Sequence, residues 1–218
     1  MDARSGLSRD SFFALLSRLA AVPGRAPLAS LPWKPSLHLI LFVHRVEGLP
    51  SGLYVLVRHP DDAEPLRSSM LPDLEWRSLP SAPEGLDLRL LVETDCRQQA
   101  AQIACLQHIA ADGAFAVSML GELQPTLERH GAWFYKRLYW EAGALGQLLY
   151  LEAEAAGLRG TGIGCFFDDA MHEMLGMTSR RYQAIYHFTV GGPVDDARLR
   201  TIPAYAHRQG ALETRGEA

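Results

Sequence analysis

The chain is predicted to fold as a layered domain of helices on a buried sheet, with at least one antiparallel strand pair. Three stretches predict it. Residues 36–46 form an almost unbroken apolar run of strand formers, as a central strand covered on both faces requires. A turn at 48–52 and a second run at 53–57 read as its hairpin partner. Residues 138–176 read as a long helix, a glycine turn, a short glycine-rich strand and a second capped helix. Helices alternating with buried strands must stack in layers, because each element buries only part of its surface.

The remaining elements follow in order. Ser8 can cap the first helix, with Leu7 packing on Phe12 as a staple and Phe12, Leu15, Leu16 and Leu19 as the apolar face. Pro23-Gly24 ends it, and Pro27, Pro32 and Pro35 keep the next segment extended. Residues 60–70 predict a short helix, 71–85 a proline-punctuated loop and 86–92 a strand. Asp95 can cap a helix that runs through Ala110, with Ala101, Ala104, Cys105 and Ile109 on one side. Residues 115–120 read as a buried strand and 123–130 as a short helix. In the long helix, Leu145, Leu148, Leu149, Ala153 and Ala156 form one buried stripe. Gly157 stops it, and Leu158 can fold back in a Schellman cap. Asp168 is placed to cap a helix over 169–175 that Gly176 ends, and 183–191 is the last strand. Residues 1–205 thus form one domain, and 206–218 a polar tail.

At 218 residues the chain can bury a single core, and a net charge of -4 gives nucleic acid or anionic membrane no basic patch to bind. No apolar h-region opens the chain, and its longest apolar run is too short to span a bilayer. Three cysteines with no CxxC indicate neither a disulfide frame nor a zinc site, which suits a reducing cytoplasm.

Few residues carry a chemical signal unaided. Gly160, Gly162 and Gly164 follow a helix at even spacing, whereas a dinucleotide loop follows a strand and separates its last glycines by three. The glycines either make a tight helix-to-strand corner or leave bare N–H groups for a flat polar ligand. Cys165 beside them reads first as a small buried apolar residue and second as a reactive thiol. His172-Glu173 lacks the second histidine of HExxH, so no metal site is expected. Trp133, Phe134, Tyr135, Tyr139 and Trp140 crowd ahead of the long helix, as core, as an interface or as the lining of an aromatic cleft.

Several of these motifs agree, in order, with one family. Val43-His44-Arg45-Val46-Glu47-Gly48-Leu49 with Gly52-Leu53-Tyr54, then His130-Gly131, Tyr135-Lys136-Arg137 and Glu141-Ala142-Gly143 come first. Ala155-Ala156-Gly157-Leu158, Gly164 to Asp169, Leu175-Gly176 and the segment from Tyr186 to Pro193 complete the series. Over roughly residues 36–205 the chain resembles the nitroreductase-type flavoproteins, and within them the azoline (thiazoline/oxazoline) dehydrogenase branch.

The resemblance implies an α+β fold, a three-layer α/β/α sandwich with a central, mostly antiparallel sheet. It also implies FMN held at the interface of a homodimer or of a pair with a sister domain. Hydride would pass between NAD(P)H or a substrate C–H and the flavin, with a small molecule or a modified peptide as substrate. By position, Gly162, Ile163, Gly164 and Cys165 would lie along the isoalloxazine edge. Ser36 stands in what remains of the flavin loop, and Arg208 is a candidate near the flavin phosphate. The family's arginine-rich opening segment is expected to be missing ahead of Met1. The Lys-Tyr pair of azoline dehydrogenation falls on Arg129-His130, where only His130 can do proton work near neutrality. A flavin-free scaffold or partner in a peptide-modification pathway is the alternative these departures leave open.

Overall fold

The computed structural model describes residues 1–200 and 202–206. Its centre is the apolar run predicted to be doubly covered. Strand β1 (Leu37–Val43) is buried at all seven positions. Leu37, Leu39, Leu41 and Val43 pack into one core, and Ile40 and Phe42 into another on the opposite face. A side-chain period of two sends successive residues to opposite faces, so two helical covers require apolar residues throughout.

Strands β2 (Gly52–Leu56) and β5 (Phe115–Glu122) flank β1. With β3 (Arg77–Ser78), β4 (Leu88–Glu93), β6 (Arg159–Ile163) and β7 (Tyr182–Gly191) they form a seven-stranded sheet in the order β3-β4-β2-β1-β5-β7-β6. All six pairings are antiparallel. Helices α1 (Arg9–Leu19) and α6 (Tyr135–Ala155) cover one face. Helices α2 (Ala63–Ser68), α3 (Arg97–Ile103), α4 (Ile109–Asp112) and α7 (Asp168–Leu175) cover the other, and α5 (Gln124–His130) follows β5. This is the three-layer sandwich that the resemblance implies.

Local signals set the start of α1 and the end of α6. Ser8 accepts from the Ser11 amide at 3.2 Å, and Leu7 and Phe12 are both buried. Gly157 has φ +72°, and Leu158 N–H donates to Ala153 O at 2.9 Å while Gly157 N–H donates to Glu154 O at 3.0 Å. These two bonds are the predicted Schellman pair. Asp168 lies one residue inside α7 instead of capping it. Its carboxylate accepts from the Asp169 amide at 3.1 Å and from the Gln183 side chain at 2.6 Å.

The helix predicted from Asp95 to Ala110 is broken. Asp95 still bonds the Arg97 amide at 3.1 Å, but α3 ends at Ile103, and Cys105 and Leu106 take φ values of +55° and +60°. The cause is distant in sequence. Phe167 N–H donates to Ile103 O at 2.8 Å, taking the carbonyl that the next helical turn needs, and Cys105 is disulfide-bonded to Cys165. The expectation of no disulfide is therefore corrected, and Cys165 is exposed, not a small buried residue. Parity of the cysteine count gave no hint, because only Cys96 stays free and buried.

The even glycine spacing in β6 also has a steric cause. Gly160 and Gly162 face the same side of the strand, under aromatic rings. A Cβ on Gly160 would lie 2.7 Å from Phe188 Cζ, and one on Gly162 would overlap the Tyr186 hydroxyl. The Phe188 ring is fully buried and cannot swing away. Gly160→Ala is thus expected to cost about 1–3 kcal/mol of stability by overpacking, read as a lower urea midpoint with an unchanged m value.

Among the described residues no helix is long and apolar enough to cross a membrane, and no group of three or more His, Cys, Asp or Glu is placed to hold a metal.

Candidate functional site

The glycine loop leaves the sheet at Ile163, the last residue of the edge strand β6, and is pinned on both sides. Ile163 is buried opposite His187 of β7. Phe166 stacks on the His187 ring at 4.4 Å and 28°. His187 pairs with Ser118 Oγ at 3.1 Å, and burial pushes its pKa down to about 3, so it stays neutral as an anchor.

Between these anchors the backbone is bare. A Cβ on Gly164 would meet nothing within 4 Å, and Cys165 is exposed. Neither the Gly164 nor the Cys165 N–H is engaged by any described residue. Gly162 differs, since its N–H already donates to the Tyr150 hydroxyl at 2.9 Å. The loop therefore offers two neighbouring N–H donors, not the whole stretch from Gly162 to Cys165.

Helix α6 supplies an aromatic margin. Tyr135, Tyr139, Gly143, Gly146 and Tyr150 recur at spacings of three and four, which places them on one stripe. Gly146 lets α6 approach Tyr186 of β7, where an added Cβ would stand 3.2 Å from the ring. Tyr135 and Tyr139 share a hydroxyl contact of 2.9 Å. Burial, then that bond, pushes Tyr139 up to about 12, so it remains protonated. Tyr139, Tyr150 and Phe167 all keep exposed ring surface. A planar ring with hydrogen-bond acceptors along one edge matches this set of bare N–H groups and aromatic faces.

The other predicted residues lie elsewhere. Ser36 is buried, its N–H donates to Glu141 Oε2 at 3.1 Å, and its hydroxyl donates to Lys34 O at 3.2 Å. It precedes β1, three strands from β6, so the two strands alone stand about 14 Å apart at ordinary strand spacing, and Ser36 is also offset from Ile163 along the strands. Its neighbour Pro35 and its partner Glu141, not Ser36 itself, line a cavity of about 370 Å³ together with Val22, Leu28, Trp33 and Arg58 among others. His130 is exposed at the end of α5 and stacks on Phe134 at 4.4 Å. Phe134 in turn meets Trp33 and Trp133, whose rings together with Trp140 surround the Arg137 guanidinium at 3.9 to 5.7 Å. Arg208 lies outside the described residues.

Two residues of the site were not legible in the sequence. Cys105 was hidden because its turn has no glycine, asparagine or proline, and helical periodicity reads straight through it. Tyr150 lies outside the apolar stripe read for the long helix, so the helical period did not single it out. Its spacing of four from Gly146 was the signal available.

An all-antiparallel sheet between two helical layers, with a bare backbone loop at its edge strand, defines a class of α+β sandwich. The family model described as the Nitroreductase family matches residues 54–192, well over half of the chain. The chain belongs to the nitroreductase family. No curated protein matches it. Among solved structures, a presumed nitroreductase from Anabaena variabilis superposes with TM-score 0.64 at 24% identity, over 87% of this chain and 35% of that one. A presumed nitroreductase from Ralstonia eutropha gives TM-score 0.57 at 14% identity, over 89% and 81%. A chain of the E. coli microcin synthetase McbBCD complex with truncated pro-MccB17 bound gives 0.60 at 14%, over 89% and 66%. These likenesses concern the fold, and the chain spans about a third of the length of the Anabaena protein.

Proposed function

We propose that this chain is an FMN-dependent oxidoreductase that works in a dimeric, cytoplasmic assembly. The observation that carries the reading is the pair of unengaged N–H groups at Gly164 and Cys165, held open between the Ile163 and Phe166 anchors within a nitroreductase-family fold. FMN, when bound, would supply hydride transfer between NAD(P)H or a substrate C–H and its ring. The protein's part is position and electrostatics. Gly164 and Cys165 would donate to the ring edge, Ile163 and Gly162 would fix the strand beneath it, and Tyr139 and Tyr150 would flank it.

Ser36 and Arg208 are proposed for the phosphate end and His130 for proton transfer. Since Ser36 stands three strands from the loop, this assignment needs a partner protomer or a sister domain to complete each site. The outer surface of α6 supports such pairing. From Ala142 to Leu151 the helix carries no charged residue, while Trp140, Tyr150 and Leu151 are exposed. An uncharged apolar stripe of this kind favours burial against another protein surface. The substrate is proposed to be a small molecule or a modified peptide.

The test is the visible spectrum of the purified protein before and after incubation with FMN and desalting. Retained absorbance near ~450 nm is expected. Gly164→Val should weaken FMN binding at least about tenfold while leaving the melting temperature unchanged, because the new side chain meets only open space. Equal FMN retention by both proteins would remove the loop from the site.

A second reading is a flavin-free scaffold for peptide modification. It is favoured by Ser36, whose N–H is already committed to Glu141, and by the likeness in fold to a chain of a microcin synthetase complex with truncated pro-MccB17 bound. A colourless protein that retains no added FMN would support it.

A further inference from the structure

The Cys105–Cys165 disulfide joins residues 60 apart in sequence and ties the α3–α4 turn to the glycine loop. Cys165 is exposed and Cys105 half-buried, so a small thiol can reach the bond. Cys96 cannot compete for it. Cys96 is buried, donates to Gly52 O at 3.3 Å, and burial pushes its thiol up to about 12. An attacking thiol must ionise, so internal reshuffling is closed and exchange depends on an outside thiol.

The turn that the bond fixes is strained. Cys105 and Leu106 are consecutive non-glycine residues in the left-handed region, and the Leu106 side chain is 70% exposed, so packing does not hold it there. What holds the turn is the cross-link, the Gln107 side chain bonding Ala104 O at 2.8 Å and Cys165 O at 3.1 Å, and the Phe167 amide on Ile103 O. Opening the bond removes the covalent member of that set. The backbone it frees in the loop is Gly164–Cys165, since Ile163 and Phe166 keep their own anchors.

We propose that Cys105 and Cys165 form a reversible thiol–disulfide exchange site for low-molecular-weight thiols, and that its redox state sets the conformation of residues 104–107 and 164–165. A thiolate RS⁻ attacks Cys165 Sγ, the protein S–S bond breaks, and Cys105 leaves as a thiolate that takes up a proton. A second RS⁻ attacks the mixed disulfide and releases RSSR, and Cys165 is protonated in turn. Two RSH are oxidised, one protein disulfide is reduced, and RSSR in excess reverses both steps. Control of FMN binding by this site rests on the function proposed above; the exchange itself does not.

The full chain is equilibrated in buffers of varied ratio of reduced to oxidised glutathione, quenched in acid, alkylated and read by mass spectrometry. Cys105 and Cys165 are expected to convert together, with Cys96 a thiol throughout and unlabelled until the protein is denatured. On reduction, amide hydrogen exchange at Ala104 and Gln107, whose N–H groups bond Ala100 O and Ala104 O, should rise at least about tenfold while β1 and β5 stay unchanged. Cys105→Ser and Cys165→Ser should each show the fast exchange in oxidising buffer.

The proposal is overturned if both cysteines remain thiols in excess oxidised glutathione. It is overturned equally if the cross-link survives excess reduced glutathione in the folded protein, or if exchange is the same in both states. FMN retention is measured in parallel. Failure to retain FMN in either state, with the cysteines still converting, would overturn the cofactor reading and leave the exchange site standing.

Discussion

Replacing Glu141 by alanine is expected to destabilise the protein by about 3–5 kcal/mol, the usual cost of stripping a buried charge of its partner. Arg58 and Glu141 form an ion pair in which each side chain is only 1% exposed. Arg58 also donates to Leu19 O at 2.7 Å and Leu37 O at 3.0 Å, and Glu141 receives the Ser36 N–H at 3.1 Å. One network therefore joins the end of α1, the start of β1, the residues after β2 and the middle of α6. Alanine would leave the Arg58 guanidinium buried with carbonyls but no counter-charge. Set against the 5–15 kcal/mol that holds an ordinary domain together, this is a large fraction. Urea denaturation should show it as a markedly lower midpoint. The double variant Arg58→Met, Glu141→Leu should recover most of the loss, because two apolar side chains remove both desolvation costs at once. If the double variant is as unstable as the single one, the lost packing or the Ser36 bond matters more than the unpaired charge.

Mild acid is expected to weaken the fold strongly. His38, His44 and His187 are all buried. Burial is the leading cause that pushes their pKa values down from 6.5 to about 4, about 4 and about 3. Above pH 6.5 these rings are neutral whether the chain is folded or not, and their share of stability is complete. Below it the unfolded chain binds protons that the folded chain refuses. Stability then falls with pH until the folded values are reached. Each histidine should cost about 2 kcal/mol between pH 6.5 and 5. Urea midpoints at pH 7 and pH 5 check this, and His187→Phe should flatten the slope by about a third. Equal midpoints at the two pH values would mean that the three rings take up protons inside the fold.

Both effects arise in the frame that carries the candidate site, not in the site itself. The Arg58–Glu141 network fixes α6, whose Tyr150 holds the Gly162 amide at the start of the glycine loop. His187 holds that loop through Phe166. Loss of FMN binding in a variant of this frame would accompany unfolding, whereas loss in Gly164→Val would not.

What the sequence by itself determined was whatever short-range chemistry controls. The Ser8 cap, the Leu7–Phe12 staple, the Gly157–Leu158 stop and the doubly buried β1 each depend on residues within a few positions of one another. The ordered motifs likewise led to the right family and to a three-layer sandwich. Strand order, the break between α3 and α4, and the disulfide were decided only by the tertiary structure, because each depends on segments dozens of residues apart. The same holds for the glycines of β6. Their spacing shows in the sequence, but Phe188 and Tyr186, the rings that demand it, lie on the neighbouring strand. Ser36 and His130 were chosen by position along the chain. The fold places Ser36 against Glu141 and His130 in an aromatic cluster beside Trp33, because strand pairing and helix packing, not sequence order, decide which side chains meet.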